Sequence, residues 1–196
     1  MTVTSIEPAS KTRYKVYVDG QFAFTLYKSE LSHYHIAVDA ILEEETYGVL
    51  RKESVKRAKL KAMHLLTDMG RTEVQLRTKL SQNGYPEDIV DEAMEYVKSF
   101  GYINDRKYAR NFVEYRKDKK SRKEIYALLC GKGLDAELIE EALDECYHKE
   151  DSRCAIETLL RKKGYDPKTA GREKRQKMMA YLVRKGFSYE EVHNIV

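Results

Sequence analysis

The chain has no tryptophan, three prolines and three cysteines in 196 residues. Cys130, Cys146 and Cys154 are odd in number and irregular in spacing, which excludes a disulfide framework and fits a reducing cytoplasm. Cys146, His148 and Cys154 match no zinc spacing and lack a fourth ligand, so small residues buried on apolar faces are expected at Cys146 and Cys154. No unbroken apolar run is longer than the six residues from Ile125 to Cys130, far too short for a bilayer. The opening MTVTSIEPASKTRYKVY holds no apolar stretch of the signal-peptide kind. A soluble, cytoplasmic, membrane-free protein is therefore expected. A phosphate-cradling glycine loop, a nucleophile elbow and an isolated carboxylate pair are all missing, so neither an enzyme nor a cofactor is expected.

What the chain has in abundance is charge, 35% of residues, and it is unevenly placed. Residues 1–50 carry net −3, leaving +7 on the rest. A pattern repeats through that remainder. Gly84, Gly133 and Gly186, spaced 49 and 53 residues apart, are each preceded by leucine at four residues: Leu80, Leu129 and Leu182. Leu76, Ile125 and Met178 stand eight before; Tyr85, Leu134 and Phe187 stand just after; Val90, Ile139 and Val192 follow at six. Self-similarity at such a period is the mark of stacked supersecondary units, which make long surfaces rather than deep pockets.

Near the N-terminus, Tyr14, Val16 and Val18, then Phe22, Phe24 and Leu26, alternate on either side of Asp19-Gly20, which predicts a β-hairpin. A short helical segment is expected over about 28–50. From Ser54 onward everything reads helical, with Ala58, Ala62, Leu65, Leu66 and Met69 as a first stripe capped by Ser54. Thr72-x-x-Gln75 and Ser121-x-x-Glu124 are capping boxes. Pro86, Asp135 and Ser188 mark helix starts, and Asp166-Pro167 with Gly171 delays one. The fold class is thus mainly α, tandem three-helix repeats in an elongated array with a small N-terminal β-hairpin. The expected division is 1–53, 54–103, 104–149 and 150–196.

Helices differ in sign. Lys107, Arg110, Arg116, Lys117, Lys119, Lys120, Arg122 and Lys123 face only Glu114 and Asp118 in their stretch. Arg172, Lys174, Arg175 and Lys177, with Arg184 and Lys185, repeat this in the third copy, and Arg71, Arg77 and Lys79 give a milder version in the first. Third helices are acidic: Glu87, Asp88, Asp91, Glu92, Glu95, then Asp135, Glu137, Glu140, Glu141, Asp144, Glu145. One reading is solvated faces with acids biased to helix starts. The other is that aligned basic helices meet phosphates or an acidic protein. Tyr108, Tyr115, Tyr126 and Tyr181 either stack on bases or rim a core.

Three segments are similar to one family. GRTEVQLRTKLSQNGY (Gly70–Tyr85), GYINDRKYARNFV (Gly101–Val113) and RKGFSYEEV (Arg184–Val192) resemble motifs of the RecX family, the bacterial modulators of the RecA recombinase. Asp105, Tyr108 and Ala109 fall on motif positions, as do Gly84, Gly133 and Gly186. Thr72 stands for the usual Ser and Lys185 for an Arg. The resemblance implies a curved helical module that binds in the groove of the RecA–DNA filament and inhibits ATPase, strand exchange and filament growth. Its partners would be that filament and single- or double-stranded DNA, with the chain acting as a monomer. Without the resemblance, an autonomous DNA binder or a scaffold for another acidic protein remains open.

Overall fold

The computed structural model describes all 196 residues, in two compact units, Met1–Ile103 and Asn104–Val196. No helix is long and apolar enough to cross a membrane.

In the first unit, β2 (Arg13–Val18) and β3 (Gln21–Tyr27) form the expected hairpin. Asp19 and Gly20 have φ of 48° and 80°, both positive as a two-residue type I′ turn requires. A third strand, β1 (Val3–Pro8), pairs antiparallel with β2, so the expected hairpin is a three-stranded sheet ordered β1-β2-β3. Only Val3 of β1 is buried, and so weak an alternation carries no sequence signal.

The segment expected to be helical over 28–50 is helical only in part. α1 spans Lys28–His33, and the chain then runs along β1, where the Val3 amide donates to the Ala40 carbonyl at 3.0 Å. α2 (Glu44–Asp68) begins ten residues before Ser54. Ser54 is not a cap but a buried small residue in the stripe Leu50, Ser54, Ala58, Ala62, Leu65, and the boundary expected after residue 53 falls inside this helix. Met69 lies past the helix end and is 65% exposed.

α3 (Glu73–Gln82) and α4 (Glu87–Ser99) complete a bundle with α2. One core joins it to the sheet: Val16, Phe24 and Leu26 pack with Leu50, Leu76, Leu80, Ile89, Ala93 and Val97. The Thr25 hydroxyl donates to the Gly84 carbonyl at 2.6 Å, and Arg13 to the Asn83 carbonyl at 3.1 Å.

The second unit holds two three-helix bundles. α5 (Asp105–Glu114), α6 (Arg122–Cys130) and α7 (Ala136–Cys146) bury Ala109, Val113, Ile125, Leu129, Ile139 and Leu143. α8 (Lys149–Lys162), α9 (Arg172–Arg184) and α10 (Tyr189–His193) bury Ile156, Leu160, Leu182, Phe187 and Val192. Gly171 is the cap from which α9 starts, after the delay that Asp166-Pro167 imposes. Pro86, Asp135 and Ser188 are N-caps as expected.

Thr72, Ser121 and Ser188 each accept from the amide three residues on, at 3.2, 3.1 and 3.2 Å. Gln75 and Glu191 return a bond to their caps. Glu124 instead meets Lys120 at 2.5 Å, so the box expected at Ser121 is half made. Cys154 is exposed, contrary to expectation, because it falls off the α8 stripe of Ser152, Ala155 and Ile156; Cys146 is half-buried.

The two bundles of this unit meet where Ser121 donates to the Lys185 carbonyl at 2.6 Å. Within the third bundle Ser152 donates to Glu191 at 2.6 Å, and within the middle one Tyr147 donates to the Lys120 carbonyl at 3.1 Å. Burial pushes the Tyr147 hydroxyl up to about 12, so it stays a donor throughout the physiological range. Gly186 has φ of 94°, and a Cβ there would sit 2.7 Å from the Ser121 hydroxyl and 2.9 Å from the Lys123 Cβ. Gly186→Ala should therefore cost about 2–4 kcal/mol in urea unfolding, from backbone strain plus overlap. Gly101→Ala, with φ of 68° but open space, should cost about 1 kcal/mol. Equal losses would mean that the approach of Ser121 is not a tight constraint.

Candidate protein and nucleic-acid interface

Segregating charge by helix has a direct structural consequence, because packing places helices of opposite sign side by side. In the first unit, Arg51 of α2 reaches Asp88 and Glu92 of α4 at 3.1 and 2.5 Å. Arg77 of α3 reaches Asp91 at 2.5 Å and Glu73 at 3.3 Å, and Lys98 meets Glu73 at 2.7 Å. In the second unit, Arg122 of α6 bridges Glu140 and Asp144 of α7 at 2.5 and 2.7 Å. Arg106 pairs with Glu141, and Arg110 with Glu145 at 2.6 Å.

The protonation equilibria follow. The hydrogen bond to Glu92 raises the Arg51 pKa, and that to Asp91 raises Arg77. At Arg122 burial works against the charge, and the bonds to Asp144 and Glu140 outweigh it. The bond from Lys98 holds Glu73 below the usual carboxylate range. Exposed pairs of this kind are worth about 0–1 kcal/mol each, more in a network.

Many of the candidate contact residues are thus already engaged. Arg71 donates to the Leu65 carbonyl at 3.2 Å, closing the end of α2. Lys79 meets Gln82 at 3.3 Å. Lys117 holds Glu114 at 2.9 Å and the Cys146 carbonyl at 3.3 Å, and its pKa is raised chiefly by the bond to Glu114. Lys119 sits 3.4 Å from Asp118, and Lys120 holds Glu124. Arg116 lies 3.9 Å over the Phe112 ring. Arg175 donates to the Val196 carbonyl at 2.5 Å, Lys177 meets Glu173 at 2.6 Å, and Lys185 lies 3.9 Å from Glu124. Lys123, Arg172, Lys174 and Arg184 have no carboxylate within ion-pair distance.

Three of those four belong to the third bundle, for a plain reason. Its last helix, α10, has five residues against thirteen in α4 and eleven in α7. Glu191, its central acid, is held by Ser152 and Ser188 rather than by a cation. The basic helix α9 therefore lacks the acidic neighbour that the other bundles supply.

The motif positions shape the fold. Ala109 is fully buried, Tyr108 packs against the same core, and Asp105 opens α5. Gly84, Gly133 and Gly186 all have positive φ. Tyr126 and Tyr181 rim their cores, while Tyr115 is 80% exposed. Unanticipated from the sequence is the exposed trio Tyr96, Phe100 and Tyr102; three aromatics within seven residues at a helix end was the available signal.

Comparison with known proteins resolves the relationship. Models of the RecX first, second and third three-helix domains match residues 58–96, 104–143 and 150–196. The chain belongs to the RecX family. It is 33% identical to the regulatory protein RecX of Caldanaerobacter subterraneus over 98% of its own length and 96% of that protein's. The regulatory protein RecX of Clostridium perfringens is 27% identical over 99% and 94%. A crystal structure of regulatory protein RecX superposes with a TM-score of 0.63 at 24% identity, covering 99% of this chain and 97% of the other. RecX from Lactobacillus salivarius gives 0.59 at 27%, covering 74% and 95%. The RecX relatives carry the description of regulatory protein, and the mainly helical fold agrees with the RecX crystal structures.

Neutralising α7 through Glu140→Gln, Glu141→Gln, Asp144→Gln and Glu145→Gln together should release Arg106, Arg110 and Arg122. The variant should lose about 1–2 kcal/mol in urea unfolding and elute later from a heparin column. Unchanged retention would mean that the pairs do not mask those cations.

Proposed function

We propose that this chain is a non-catalytic negative regulator of homologous recombination that binds the RecA–DNA filament and restrains its ATPase, strand exchange and growth. The observation that carries this reading is membership of the RecX family in all three three-helix domains. The surface chemistry supports it. Charged ridges on rigid bundles suit contacts with a large partner, and several weak contacts on one chain multiply in effect. ATP hydrolysis then belongs to the recombinase, and this chain acts in the cytoplasm as a monomer.

A second reading is that the chain competes for DNA through its basic helices. Lys123, Arg172, Lys174 and Arg184 favour it, since their charge is not met by a carboxylate.

The test is RecA ATPase on single-stranded DNA, titrated with this protein at two salt concentrations with DNA in excess. Substoichiometric inhibition that excess DNA does not relieve is expected. Inhibition only near DNA saturation, and abolished by salt, would establish the second reading; no effect on the ATPase would overturn both. Arg172→Glu with Lys174→Glu and Arg184→Glu should weaken the inhibition at least tenfold while helicity is unchanged. Lys117→Glu with Lys120→Glu should instead lower stability, because those side chains hold Glu114, the Cys146 carbonyl and Glu124.

A further inference from the structure

At the end of α4 the first unit leaves a ladder of rings in solvent. Tyr96 is 37% exposed, Phe100 58% and Tyr102 52%. Tyr96 and Phe100 sit edge to face with centroids 5.0 Å apart, and Phe100 and Tyr102 stack at 5.7 Å with planes 20° apart. Gly101, with φ of 68°, turns the chain so that rings two residues apart lie parallel, and the Tyr102 amide donates to the Val97 carbonyl at 3.1 Å. The ladder is therefore held by the helix end and not by a loose loop. None of the three is among the buried or partly buried residues of the core.

The ladder continues into a groove between α2 and α4. Lys59 stands 5.2 Å over the Tyr96 ring, and Lys52, Lys56 and the 63% exposed Leu60 line the groove beside it. The one carboxylate lining it, Glu92, is occupied by Arg51 at 2.5 Å. None of the three lysines has a carboxylate within ion-pair distance. The face thus combines open aromatic rings with uncompensated positive charge.

We propose that this face binds single-stranded nucleic acid, the rings stacking on bases and Lys52, Lys56 and Lys59 meeting phosphates. Two features select this occupant over an acidic protein. Apart from Arg51, which Asp88 and Glu92 hold, the cations are all lysines, which are depleted in protein–protein interfaces and serve phosphates as point charges. Three neighbouring rings give a base-stacking platform, which works for any base because every base has a π-face. Single strands are selected over duplexes because paired bases keep their faces inside the stack. No recombinase takes part in this binding, which stands or falls apart from the filament reading.

The experiment is fluorescence anisotropy of a labelled oligodeoxythymidylate with the full chain and no recombinase, from about 50 to about 200 mM salt. Phe100→Ala with Tyr102→Ala should weaken binding roughly tenfold or more at every salt concentration, leaving the salt slope unchanged. Lys52→Gln, Lys56→Gln and Lys59→Gln together should flatten the log–log salt slope by about 2, three phosphates' worth on a single strand. Lys→Arg at the same positions should restore it. A duplex of the same length should bind more weakly and be insensitive to the aromatic substitutions. The assignment fails if both variants bind the oligonucleotide within twofold of the parent. It also fails if a polyglutamate peptide binds more tightly than the oligonucleotide and is lost with the same substitutions, which would give the face to an acidic protein. All the substituted side chains are exposed or half-exposed, and unchanged circular dichroism would show that the fold survives.

Discussion

Within each unit, adjoining modules are locked where a hydroxyl presses against a turn at a left-handed glycine. Thr25 of the sheet donates to the Gly84 carbonyl, with its Oγ1 2.7 Å from where a Cβ would stand. Ser121 of the middle bundle donates to the Lys185 carbonyl at the same distance from a Cβ on Gly186. Two demands fall on one residue in each case. The backbone must reverse with positive φ to end α3 or α9, and the turn must be bare enough for a neighbour to approach. Ser121 meets a third demand, since its hydroxyl also caps α6. At Gly186, helix start, helix end and module contact are thus one structure.

Charge then acts on a frame already set by packing. The acids of α4 and α7 answer cations on the helices beside them, so the segregation of sign along the sequence becomes pairing in space. Both sequence-level accounts of the charge are therefore incomplete. The acidic helices are more than solvated faces, since they reach across to Arg51, Arg77, Arg106, Arg110 and Arg122. Nor are the basic helices uniformly open to a polyanion. What remains available is set by the length of the last helix in each bundle, and α10 is too short to neutralise α9.

The parts legible in the sequence were those with dense local signals. Leucine, glycine and cap at fixed offsets gave the bundles, and Asp19-Gly20 gave the hairpin, because each depends on the conformation of a few adjacent residues. β1 was not legible because only Val3 is buried, its pairing being supplied by β2 far along the chain. The start of α2 was misplaced because Ser54 is chemically a good cap, while its actual role is to be small where Leu50 and Ala58 pack. Cys154 was misjudged for a related reason: residue type suggested burial, and helical phase decided otherwise.

For the interaction surface the difficulty is different. A lysine or arginine looks the same in sequence whether a carboxylate 18 or 35 residues away holds it, as with Arg122 and Glu140 or Arg110 and Glu145, or nothing does. Clustering of like charge is thus a poor guide to which cations face a partner. A better one is the balance within each packed bundle, where a basic helix counts as open only if its acidic neighbour is missing or engaged elsewhere. By that measure the open positive charge lies on α9 and along the α2 groove, where Glu191 and Glu92 are already taken by Ser152 and Arg51. The filament-regulating role proposed above would gain from this arrangement. Internally paired charge would give rigid modules with little indiscriminate affinity for polyanions, and leave the few uncompensated faces for the proposed contacts.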